Sequence, residues 1–193
     1  MIRKTLLLTL LIALMTACAS QTTPTVASVP TNTALNDGLG REVKLAGPAQ
    51  RVVSLAPSNT EILFAIGAGS QVVGRDEFSD YPAEAASLES VGGSFGEYSV
   101  EAIVALEPDL VLAAEINTPE LVKQLEDLGL IVYYLKNPTT LEEMYVNLEV
   151  VGQLTGHDVT DLVDSLKARV AAVDEKIAPI SARPTVFYEI DAS

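Results

Sequence analysis

Cysteine is nearly missing from this chain. Cys18 stands alone among 193 residues, so no internal disulfide can form, and in an oxidising compartment it would be left as a reactive thiol. Histidine is equally scarce. With His157 as the single imidazole and no spare thiol, a transition-metal cage lacks its usual ligands. Cations are few as well, 12 Lys and Arg against 26 Asp and Glu. That balance argues against nucleic acid or anionic lipid surfaces as partners, because both are held by clustered positive charge. Long apolar runs are also absent. The longest, Leu6 to Met15, is half of the roughly twenty residues that a membrane-crossing helix needs.

What the amino terminus does contain is a basic start at Arg3 and Lys4, that short apolar run, and "LMTAC" with small residues leading to Cys18. This is the layout of an export signal. It resembles a bacterial lipoprotein signal over residues 1–18, which implies that Cys18 becomes a lipidated amino terminus and a membrane anchor outside the cytoplasm. Two acyl chains at about 0.8 kcal/mol per buried CH₂ anchor stably. Ordinary secretion with a spare cysteine is the alternative. Cleavage removes two cations and no acid, taking the net charge from −14 to −16. Residues 19–36, rich in Ser, Thr, Pro and Ala, are expected to be a flexible tether.

From residue 37 the pattern changes. "DGLGREVKL" predicts a small β-hairpin. "RVVSLA", "QVVGR", "DLVLAA" and "LIVYYL" read as short apolar strands, with helices between them: one after Pro57, capped by Ser58 or Asn59, then "VEAIVAL" and "TPELVKQLEDLG". Near-continuous apolar strands alternating with helices predict an α/β fold with a parallel sheet flanked by helices, over residues 37–157. Two further helices follow, Leu141–Leu154 and Val159–Ile177, interrupted at Thr155-Gly156. "PTVFYEIDAS" opens a last strand. It either adds to the first sheet or begins a second lobe at residues 183–193, and the second is the expectation, since an unpaired edge needs a partner.

In an open α/β sheet, ligands bind outside the carboxyl ends of the strands. Four loops qualify: "PSNTE", "RDEFSDYP", "GGSFGEY" and "AEINTP". They carry Phe78, Tyr81, Phe95 and Tyr98, four of the ten aromatics in the chain. Aromatic side chains on glycine-containing loops point to a face for a large, flat or partly apolar ligand; core packing is the competing reading.

"RVVSLAPSNTEILFAIGAG", "SDYP", "SVEAIVALEPDLVLA" and "LEDLGLIVYYL", in this order, resemble the substrate-binding proteins of ABC importers for cobalamin, siderophores and haem. The resemblance runs from about Gly38 to Ile190. It implies two α/β lobes joined by one long helix, here residues 158–178, with the ligand in the cleft between them and the second lobe truncated. Ser58 and Asn59 stand where the family's first loop touches ligand. Phe78 stands where the cobalamin binder has a tyrosine, and Phe95 where it has a tryptophan; Tyr81 shares their loop cluster. Glu101 matches a surface glutamate that docks with arginines of the membrane permease, and carboxylate–guanidinium pairs fix orientation well. The implied partners are a permease with cytoplasmic ATPase subunits and a metal-chelate ligand. A monomer is expected, with no resident cofactor or metal and no nucleic acid.

An extracytoplasmic α/β hydrolase or redox protein lacking its catalytic half is the alternative. Ser58 and His157 could be two members of a triad, but no G-x-S-x-G surrounds Ser58, and His157 in a helix break reads as an exposed loop residue. "GAGSQVVG" follows a helix and lacks G-x-G-x-x-G, so a dinucleotide site is not indicated. Asp76, Glu77 and Asp80 read as solvated acids. No catalytic residue is expected.

Overall fold

The computed structural model describes residues 33–182 and 184–188. The expected export signal, Cys18 and most of the expected tether lie outside them. Thr33–Asn36, expected as the tether's last residues, are instead strand β1, which pairs antiparallel with β2, Glu42–Leu45. The reason is in the turn. Asp37 is buried and its carboxylate accepts from the backbone N–H of Leu39 (3.0 Å) and Arg41 (2.9 Å), closing the chain back on itself. Tyr133 then donates its hydroxyl to Asn36 O (2.8 Å), and the N–H of Gly38 donates to Tyr134 O (2.8 Å), so the hairpin covers one sheet edge.

That sheet holds five parallel strands in the order β5-β4-β3-β6-β7. They are β3 Val52–Ser54, β4 Val72–Arg75, β5 Glu89–Ser90, β6 Leu110–Ala114 and β7 Val132–Leu135. β6 and β7 are buried at every residue, as strands covered on both faces should be. Their side chains alternate between two cores. Val52, Leu110, Leu112, Tyr133 and Leu135 face one side; Val53, Val111, Ala113, Val132 and Tyr134 face the other. Helices α1 (Pro57–Ala65), α4 (Leu141–Thr155) and α5 (Thr160–Ile177) contribute to the first core, and α2 (Val100–Ala105) and α3 (Pro119–Asp127) to the second. The two-residue β5 has too little apolar sequence to announce itself.

Each boundary has a local cause. Ser99, Thr118 and Thr140 cap α2, α3 and α4 through their side chains, and Pro119 opens α3. Gly156, with φ +78°, ends α4 in the left-handed conformation. α1 differs from expectation. Its N-cap is Ala56, Pro57 fills its first turn, and neither Ser58 nor Asn59 caps it. α5 rests its first half on α4, with Val163 buried and Lys167 Nζ 5.4 Å from the Tyr145 ring centre, whereas residues 171–180 are all exposed. Beyond it Val186, Phe187 and Tyr188 join no strand, and their side chains are at least three-quarters exposed; residues 189–193 lie outside the description.

Candidate ligand-binding site

The strand order reverses between β3 and β6, since β4 and β5 lie to one side of β3 and β6 and β7 to the other. At the carboxyl end of such a switch, neighbouring loops diverge and leave a crevice. Here the crevice has a hydrogen-bonded floor. Leu55 O, just past β3, accepts from Tyr98 Oη (2.9 Å) and Asn117 Nδ2 (3.2 Å). Asn117 Nδ2 also donates to Tyr98 Oη (2.8 Å), and its Oδ1 accepts from Ala114 N (2.7 Å). Asn59 Nδ2 donates to Leu112 O (3.1 Å). Three side chains, one from the first turn of α1 and two from loops, thus tie together the ends of β3 and β6. Burial raises the Tyr98 hydroxyl pKa above the usual phenolic value, opposed by the bond from Asn117.

A second network sits beneath the loop after β4. Ser54, Thr60 and Ser79, all buried, join hydroxyl to hydroxyl at 2.8 Å, and Ser79 donates to the buried Asp76 carboxylate. Asp76 also accepts from Phe78 N (2.9 Å). Asp76 is therefore a framework residue rather than a solvated acid. The loops after β4 and β5 are cross-braced too: Glu77 N donates to Gly92 O (2.8 Å), and Ser94 donates to the Glu77 carboxylate.

On this frame stand the side chains the sequence singled out. Phe78 is 58% exposed and Tyr81 68%, a large apolar area for water to meet unless something covers it. Ser58 is exposed in the first turn of α1. Phe95 lies in a single 3₁₀ turn, Ser94–Gly96, flanked by Gly93 and Gly96 at positive φ; its side chain is outside the description. Asn59 is not presented as expected, being 1% exposed with its amide nitrogen given to the sheet. Tyr98 likewise turns inward. Sequence reasoning passed over Ile116, 68% exposed on the loop after β6. An unforced isoleucine at a loop tip was its only signal.

Glu101 is exposed in the first turn of α2. It borders an open groove of about 500 Å³ between the starts of α2 and α3, which Glu97 and Glu120 also line. The hydrolase pairing fails on placement. His157 Nε2 and Gln71 Oε1 are 2.9 Å apart, and Gln71 Nε2 donates to Ala49 O and Thr155 O. His157 is also beside Gly67, past the far end of α1, about 13 Å along the helix from Ser58 at 1.5 Å per residue. It is a half-buried brace, not the exposed loop residue expected. Among the described residues no group of three or more His, Cys, Asp or Glu side chains could hold a metal ion, and no helix is long and apolar enough to cross a membrane.

Residues 52–192 match the family described as periplasmic binding protein. The chain belongs to that family. A relative of this periplasmic binding protein is an ABC transporter substrate-binding lipoprotein, YvrC, of Bacillus subtilis, 34% identical over 163 residues, covering 81% of this chain and 51% of the relative. Among solved structures, the vitamin B12 binding protein BtuF of Vibrio cholerae superposes with a TM-score of 0.60 at 31% identity, over 68% of this chain and 52% of that one. A haem-binding protein of Pseudomonas aeruginosa gives 0.58 at 30% identity, over 67% and 46%. The chain thus spans about half the length of these relatives.

Proposed function

We propose that this periplasmic binding protein captures a metal chelate for an ABC importer, the ligand being a corrinoid, haem or a ferric siderophore. The observation that carries the reading is the loop face itself. Phe78, Tyr81 and Ile116 are exposed at the carboxyl end of a parallel sheet, around its switch point, on loops held rigid by Tyr98, Asn117 and Asp76. A preorganised apolar face loses little freedom when a flat ligand settles on it. The named relatives, which bind vitamin B12 and haem, support the ligand class.

In this reading Ser58, Phe78, Tyr81, Ile116 and Phe95 form one wall of a cleft, and α5 leads toward the opposing wall. Cys18 carries the lipid that holds the protein outside the cytoplasm, and the similarity to the lipoprotein YvrC supports the anchor. Glu101 meets arginines of the permease, which works with its ATPase subunits. Capture needs no chemistry on the ligand; the protein acts as a monomer that binds and hands over.

The test is titration of the whole protein with cyanocobalamin and with haemin, followed by the shift in each ligand's visible absorption. One of them is expected to bind at one per chain, and Phe78→Ala to weaken it by about tenfold, the loss of roughly 1–2 kcal/mol of ring contact. Failure of both ligands and of ferric siderophores to bind, or indifference to Phe78→Ala, would overturn the proposal.

A further inference from the structure

A trough of about 440 Å³ opens between α1, the β7–α4 connection and α4, with α5 at its back. It meets the loop face only at Ser58 and Tyr81. Its walls are Ile62, Ala65, Met144, Leu148 and Leu166, and Ile62, Met144 and Leu166 are only partly buried by the fold. The volume is that of a small-ligand site, apolar with few polar groups.

Those polar groups differ in kind. Lys136, directly after β7, lines the trough, and among the described residues its ammonium makes no ion pair. Arg41, Lys44 and Lys123 are committed to carboxylates and Arg51 and Arg75 to backbone carbonyls, whereas Lys167, Arg169 and Lys176, which share the lack of an ion pair among the described residues, do not line the trough. The acids near Lys136 are Glu61, on the opposite rim, and Glu143. Glu143 is already bonded to the N–H and hydroxyl of Thr139. Asn59 also borders the trough, 1% exposed, with its nitrogen given to Leu112 O. A cation without an ion pair at the rim of an apolar bed describes one kind of guest.

We propose that this trough is a second small-molecule site, for an amphipathic anion. Its apolar body lies on Ile62, Met144, Leu148 and Leu166, and its carboxylate or sulfonate meets Lys136 Nζ. Lys136 and the wall residues lie outside the loop face, and Ser58 and Tyr81 border both sites.

The experiment titrates the full chain with anilinonaphthalene sulfonate and with N-phenylnaphthylamine, the same skeleton without the charge, and follows fluorescence. The sulfonate dye should bind at one per chain and more tightly than its parent. Lys136→Gln should weaken the sulfonate about tenfold, the worth of a charge-assisted contact. Glu61→Gln should strengthen it, and the uncharged dye should respond to neither. Ala65→Phe fills the trough and should abolish both. Equal affinity for the two dyes, indifference to Lys136→Gln, or binding that survives Ala65→Phe would each overturn the proposal. The opposite sign of Glu61→Gln keeps the test decisive should Lys136→Gln disturb the fold.

Discussion

At the scale of single residues, the buried polar groups decide what the loops can present. Asn117 fills two strand-end obligations at once, accepting from Ala114 N and donating to Leu55 O. Asn117→Ala leaves Ala114 N without that partner, at a cost of about 1–3 kcal/mol for an unmet buried group, while Leu55 O keeps only the Tyr98 hydroxyl. The expected outcome is a lowered denaturant midpoint and weaker chelate binding, although Asn117 itself is only 2% exposed. Asp37 makes a pH prediction. Burial pushes its carboxyl pKa up, but the side-chain and backbone bonds from Arg41, the Arg41 charge and the Leu39 N–H outweigh that and hold it below the ordinary carboxylate value. A carboxyl depressed in the folded state contributes stability above its unfolded pKa, and loses that contribution as pH falls through the folded one. Wild type should therefore lose stability below about pH 4, the unfolded carboxylate range, and Asp37→Asn should flatten that part of the curve. Urea midpoints measured from pH 7 down to pH 3 check it.

At the scale of elements, the strands and helices were legible because burial on both faces forces apolar runs, and caps and glycines punctuate them. "DLVLAA" and "LIVYYL" became β6 and β7 for that reason, and Gly156 stops α4 where a left-handed residue is needed. The direction of polar side chains was not legible. Asn59 and Tyr98 looked like surface chemistry, yet each turns inward to a partner 19 to 53 positions away in the chain, such as Leu112 for Asn59 or Leu55 and Asn117 for Tyr98. Local pattern carries no trace of such a partner. The turn between α4 and α5 shows the same long reach at close quarters. A Cβ on Gly152 would lie 2.7 Å from His157 O and 2.9 Å from Val159 Cγ1, so that glycine sets how near α5 can pack. Gly152→Ala, ordinarily favourable inside a helix, should here cost about 1–3 kcal/mol of overpacking and lower the melting temperature. Gly129→Ala, with open space around its Cβ but φ +85°, is the contrast that separates backbone strain from crowding.

At the scale of the whole molecule, the helix starts that follow the strands gather negative charge beside the loop face. Glu101 opens α2, Glu120 opens α3, and Glu97 lies between them on one groove. Exposed carboxylates contribute little to holding a fold, about 0–1 kcal/mol per pair, so their arrangement bears on encounter rather than stability. In an importer-docking role, Glu101→Arg reverses the charge that meets the permease without touching Phe78, Tyr81 or their supporting bonds. The expected result is uptake reduced at least tenfold in cells expressing the whole protein, with chelate affinity within about twofold of wild type and an unchanged melting temperature. Charge steering also decays within the roughly 8 Å screening length of physiological salt. Docking of wild type to permease in nanodiscs should accordingly slow as salt rises, and docking of the Glu101→Arg protein should show a shallower dependence. Uptake that survives the reversal, or equal salt slopes for the two proteins, would move the docking surface elsewhere on the lobe.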